Sequence, residues 1–273
     1  MALIRETLLF LSLDSVFIDS PLNEEGFEQA KQLQAFIFTD SKKYAEEASV
    51  ATNIASVLAT LRGETGSSLI VSSNLRRAIS TTTVALWNRL EGINSYSEFK
   101  FKHLLWSLFL ATGEKIFILS SLQEISRNID TMALSYAHSV PDLSRLSTHI
   151  HTTKRGFDAS RVFDTKGHIG SKSLSYTGAK RLRGFNEWVF QQAEDTIIVG
   201  GHSLWFKYYF QMHLPKSSDH QAKRLKIANS GVVAFTLWRA DGEDGLPVSV
   251  GGEVVYRIDP ESIVSVYGGF TAK

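Results

Sequence analysis

The stretch SSLIVSSNLRRAIS, residues 67–80, decides the fold. Leu69, Ile70 and Val71 form a short apolar run bounded on both sides by serines, the pattern of a strand buried on both faces. Helical spacing takes over at once: Ile79, Thr83, Leu86 and Leu90 share one face. Between strand and helix stand Asn74, Leu75, Arg76 and Arg77, so two arginines sit at a helix start. A buried strand running straight into a helix is the repeating half of an α/β fold. The same order recurs downstream. KIFILS (115–120) is a second buried strand, with Glu124 just past it. DTIIVGGHS (195–203) is a third, leading through a Gly-Gly turn and His202 into the helical run LWFKYYFQMHL.

Working outward, FEQAKQLQAFI (27–37) places Phe27, Ala30, Leu33 and Ile37 on one helical face. Asn23 reads as its N-cap, and Glu24 and Glu25 suit a helix N-terminus. A helix over about 44–62 ends at Gly63, and another near 177–192 carries Leu182, Phe185 and Val189. GVVAFTLW (231–238) and EVVYRI (253–258) read as late strands. This alternation predicts an α/β sandwich with a mostly parallel sheet. No linker or repeat divides the chain, so residues 1–273 read as a single domain. Within it, about 135–176 lacks clear periodicity and is too long for an ordinary connection, which marks a functional loop or small lobe.

Composition narrows the function classes. Hydrophobic residues make up 43% and charged residues 21% of the 273, a balance that excludes intrinsic disorder. A net charge of +1 gives no global field to gather nucleic acid or an anionic membrane. No cysteine is present, which excludes disulfides, thiolate zinc sites and cysteine nucleophiles, and fits the cytoplasm. No run reaches the roughly 18 apolar residues of a membrane span. The short run Leu8–Leu13, flanked by Glu6 and Asp14, reads as a buried strand or helix turn rather than a signal peptide.

Ligands of open α/β sheets gather beyond the carboxyl ends of the strands. Arg76 and Arg77, Glu124 and His202 follow three buried strands, so an arginine, a glutamate and a histidine are placed at one rim. An arginine fork there holds phosphate oxygens, a carboxyl group moves protons, and a histidine steadies a transferring group or shuttles a proton. His149-x-His151 has metal-like spacing but no carboxylate or cysteine beside it, so no metal is expected. Lys154, Arg155, Lys166 and Lys172 read as a solvated loop, and KRLR (180–183) as a solvated helical face.

The motifs together resemble the histidine phosphatase, or phosphoglycerate mutase-like, superfamily. Asp19-Ser20-Pro21-Leu22-Asn23-Glu24-Glu25-Gly26, with Gln29, Ala30 and Leu33, is similar to its D-x-P-L-T-x-x-G-x-x-Q-A segment. Ser73-Asn74-Leu75-Arg76-Arg77-Ala78, with Thr81, resembles its S-x-L-x-R-A-x-x-T block. Leu122-Gln123-Glu124, Val199-Gly200-Gly201-His202-Ser203 and Asn229-Ser230-Gly231 resemble its later blocks, in the family's order. The resemblance implies a three-layer αβα fold and hydrolysis of a phosphate monoester through a phosphohistidine, with no cofactor. It implies that Arg77 cradles the phosphoryl oxygens, that Glu124 protonates the leaving group and that His202 is the second histidine of the site. The implied partner is a small phosphorylated substrate or phosphate itself; the oligomeric state is left open.

The family's nucleophile stands in an R-H-G or R-H-A motif that this sequence does not contain; Arg5 is followed by Glu6. The expectation is therefore an N-terminally incomplete family member with impaired turnover. The alternative is an inactive phosphate-binding or interaction protein of the same fold. Loss of a first strand from inside the sheet is further expected to leave a neighbouring strand edge unpaired.

Overall fold

A computed structural model of the chain describes residues 17–39, 50–92, 113–150, 157–173, 178–242 and 245–272. Leu8–Leu13, His103, His151, Lys154 and Arg155 lie outside the described residues. The chain divides into two compact units, Met1–His202 and Ser203–Lys273.

The first unit opens with α1 (Glu24–Phe38). Asn23 caps it by accepting the Gly26 N–H at 2.8 Å, and the expected face of Phe27, Ala30, Leu33 and Ile37 is buried. Helix α2 (Val50–Arg62) ends at Gly63, whose φ of 75° is left-handed and suits glycine. Strand β1 (Ser68–Ser73) runs into α3 (Arg76–Ala85). The single helix expected past residue 85 is interrupted: Leu86 has φ −108° and ψ 12°, and a short helix α4 (Trp87–Leu90) follows. The expected face still packs inward, since Ile79, Thr83, Leu86 and Leu90 are all buried.

Strand β2 (Ile116–Leu119) comes next, then α5 (Ala159–Val162), β3 (Phe163–Asp164), α6 (Gly178–Val189) and β4 (Thr196–Gly200). The four strands form an all-parallel sheet in the order β3-β2-β1-β4. Ile70 pairs with Ile116 and Ile198, and Ser72 with Gly200. Successive side chains point to opposite faces. On the Gly200 face lies α3: a Cβ at Gly200 would stand 1.8 Å from Thr82 Oγ1. On the Phe117 face lies α6, whose Trp188 ring centre is 6.3 Å from that of Phe117. Helices therefore cover both faces, and the unit is an α/β fold around a parallel sheet. Both edges of β1 are paired; β3 and β4 are the outer strands among the described residues.

Two buried arginines tie these elements. Arg89 pairs with Glu114 and donates to the Thr60 carbonyl at 2.6 Å and to Ser68 Oγ at 3.0 Å, joining α2, β1 and the approach to β2. Arg76 donates its backbone N–H to Asp19 Oδ1 at 2.9 Å and its Nε–H to the Asp19 carbonyl at 2.7 Å. The D-x-P-L segment is thereby pinned to the start of α3.

The second unit contains α7 (Ser203–His213) and a set of short strands. Trp205, Tyr209 and Phe210 of α7 are buried, with the Trp205 and Tyr209 rings stacked at 4.8 Å. After α7, β5 (Lys226–Ile227) pairs with β12 (Phe270–Thr271). The strand expected over 231–238 is two: β6 (Val232–Ala234) pairs with β11 (Val264–Tyr267), and β7 (Leu237–Arg239) pairs with β10 (Tyr256–Ile258). The chain changes partner at Thr236, whose N–H goes to Ser262 Oγ at 2.9 Å instead of to a ladder. The strand expected over 253–258 likewise divides, into β9 (Glu253–Val254), which pairs with β8 (Ser249–Val250), and β10. All these pairings are antiparallel. No helix among the described residues is long and apolar enough to cross a membrane.

Candidate functional site

Parallel register aligns the carboxyl ends of β1, β2 and β4. Ser73 closes β1 opposite Leu119 of β2, and Gly200 closes β4 opposite Ser72. A 3-10 turn, Ser120–Leu122, carries β2 onward to Glu124, and His202 stands two residues beyond β4. Strand pairing and this turn thus bring Ser73, Glu124 and His202 to one end of the sheet.

Its centre is His202, which is 5% exposed. Nε2 lies 2.8 Å from Ser73 Oγ, and Nδ1 lies 3.7 Å from Glu124 Oε2. The carboxylate opposite Nδ1 favours the tautomer with its proton there, which leaves Nε2 to accept from the Ser73 hydroxyl. Ser73 Oγ also accepts the Leu75 N–H at 3.4 Å, which is compatible with that direction. Burial first, and then the positive charges of Arg77, Lys172 and Arg181, hold His202 well below its usual pKa. The ring is neutral at physiological pH.

Of the adjacent pair Arg76 and Arg77, it is Arg77 whose charge acts on His202, while Arg76 is committed to Asp19. The Arg77 fork donates to the Asp130 carbonyl at 2.9 Å and lies 3.9 Å from the Asp130 carboxylate.

Two cations that the sequence pattern assigns to solvent are instead engaged at the site. Lys172 Nζ donates to the carbonyls of Glu124 and Ser126, each at 2.6 Å, and to Thr131 Oγ1 at 2.7 Å. Burial, chiefly, pushes its pKa down to about 8. Arg181, inside the KRLR run, donates to the carbonyls of Gln123 and Glu124. Together they grip the backbone that carries Glu124. Backbone carbonyls send no signal in a sequence, so nothing there distinguishes these cations from solvated ones. Ser73 has no chemistry of its own in the motif; its place at the end of β1 is the signal that marks it.

A buried polar network supports the rim. Asn74 Nδ2 donates to the Gly170 carbonyl at 3.1 Å and approaches Ser120 Oγ at 3.3 Å. His168 Nδ1 accepts the Gly170 N–H at 3.2 Å, so its proton is on Nε2, 2.7 Å from Ser135 Oγ. Burial pushes the His168 pKa down to about 4, and the ring is a neutral strut. His149 stacks on Phe27 at 3.7 Å and lies 3.6 Å from Glu24. Its role here is packing against α1.

No protein-family model matches this chain, and no curated protein matches it.

Proposed function

We propose that the chain is a phosphoglycerate mutase-like protein of the histidine phosphatase type, and that its rim takes a phosphate monoester. The observation that supports this reading most is the convergence of Glu124 on His202 at 3.7 Å, within the field of Arg77, Lys172 and Arg181. Three cations around a neutral imidazole and a carboxyl group form an environment that favours a doubly charged anion. In this reading Arg77 turns its fork to the phosphoryl oxygens, His202 lies beside them as the second histidine and Glu124 protonates the departing oxygen. The five motifs in family order add to it.

A second reading, phosphate binding without turnover, is favoured by one feature: the sequence holds no R-H-G or R-H-A. Hydrolysis of an aryl phosphate separates the two. Turnover that falls ~100-fold or more in His202→Ala and in Arg77→Ala supports a working site. No turnover, with stabilisation by inorganic phosphate that both variants lose, supports the binder. Neither turnover nor stabilisation contradicts both.

A further inference from the structure

We infer that Asp130 is an autoinhibitory residue: in the ligand-free chain it occupies the fork of Arg77, and an incoming phosphate group takes that fork from it. The inference rests on the reading of the rim as a phosphate site and adds what controls binding there.

The three cations of the rim are all turned to one short segment. Arg181 donates to the carbonyls of Gln123 and Glu124. Lys172 Nζ donates to the carbonyls of Glu124 and Ser126 and to Thr131 Oγ1. Arg77 Nη1 donates to the Asp130 carbonyl at 2.9 Å, and Nη2 lies 3.9 Å from Asp130 Oδ2. Oxygens of residues 123–131 thus meet the donors that a phosphate group needs.

These commitments differ in strength. The three N–H groups of Lys172 Nζ match its three acceptors, and Arg181 bridges two carbonyls. The Arg77 side chain makes one hydrogen bond, and its approach to the Asp130 carboxylate is long and wet: the two side chains are 23% and 44% exposed. Exposed pairs of that kind contribute little. A bidentate arginine–phosphate pair is strong and directional, so exchanging one for the other is favourable. Arg76 cannot make the same exchange, because it is buried and holds the Asp19 carbonyl.

Asp130 is built into place. Its neighbour Thr131 is anchored three ways: Gln123 Nε2 donates to its carbonyl at 2.8 Å, Lys172 Nζ to its hydroxyl at 2.7 Å, and that hydroxyl donates to the Asn128 carbonyl at 2.6 Å. The Met132 N–H returns to the Ile129 carbonyl at 3.1 Å. The turn Ile129–Thr131 is therefore fixed, and the part that moves is the long, partly exposed side chain of Arg77. The same anchors lead into the site: Lys172 joins Thr131 to Glu124, whose Oε2 is 3.7 Å from His202 Nδ1. Turning Arg77 away from Asp130 leaves them undisturbed.

The test uses inorganic phosphate and the full chain. Calorimetric titration at constant ionic strength compares the unaltered chain with Asp130→Asn, and a crystal structure of the unaltered chain with phosphate shows the fork directly. The expected results are binding roughly threefold or more tighter in Asp130→Asn, and an Arg77 fork that contacts phosphate and has parted from the Asp130 carboxylate. Phosphate bound while Arg77 keeps Asp130 overturns the inference and leaves the phosphate reading standing. Equal or weaker binding in Asp130→Asn does the same. No binding to either protein overturns both. The crystal structure needs no variant, so it decides the matter even if Asp130→Asn fails to fold.

Discussion

Asp19 shows how much one residue of a motif can be asked to do. It is fully buried, and its φ of 49° lies in the left-handed region that side chains other than glycine seldom enter. What holds it there is bonding: Oδ1 accepts from the Arg76 N–H and Oδ2 from the Leu134 N–H at 3.3 Å. Burial outweighs those bonds and pushes its pKa from 3.8 up to about 6. The folded chain therefore holds the Asp19 proton more tightly than the unfolded chain does. The sign follows: the Asp19 contribution to stability grows as pH falls from about 6 towards 3.8 and is absent above that window. Urea unfolding at pH 7 and pH 5 should show a gain on acidification of about 1 kcal/mol in the unaltered chain relative to Asp19→Asn. Equal pH slopes in the two proteins would contradict it.

Helix α3 and strand β4 are set at a distance that only a missing side chain allows. A Cβ at Gly200 would overlap Thr82 Oγ1 at 1.8 Å. Gly200→Ala should cost about 1–3 kcal/mol, and adding Thr82→Ala should recover a good part of that loss. Additive losses in the double variant would show that the two positions do not meet. Most elements of this layer are legible in the sequence because they announce themselves locally. A serine-bounded apolar run marks β1, the short run IFIL between Lys115 and Ser120 marks β2, and a 3.6-residue period with Asn23 at its head marks α1. The late strands are legible only as apolar stretches. Which partner each half of 231–238 takes depends on residues some 20 or more positions away, and periodicity does not carry that. At the site, Arg77, Glu124 and His202 stand out as polar residues after apolar strands, although the strand before His202, expected to be buried, is an outer strand among the described residues and only half-buried. Lys172 and Arg181 do not, because their partners are mostly backbone carbonyls.

At the scale of the whole molecule, charge is nearly balanced at +1, while three cations are concentrated around one histidine. Attraction to anions should therefore be local. The chain should pass through a heparin column at physiological ionic strength, and retention that needs high salt for release would contradict a local site. The sheet has the same consequence for the site that the charge does. Because β4 pairs directly with β1, His202 and Ser73 meet without an intervening strand, and the rim is a closed cluster with a single ring at its centre. In the function proposed above, this cluster holds a phosphate group. The most direct measurement is thermal unfolding against inorganic phosphate in the unaltered chain, Arg77→Ala and His202→Ala, at constant ionic strength. At ~100 times the dissociation constant, binding adds about 2.7 kcal/mol, or roughly 5–10 °C in melting temperature for a chain of this size. That shift is expected in the unaltered chain and is lost in both variants; no shift, or an equal shift in all three, would show that the cluster does not hold phosphate.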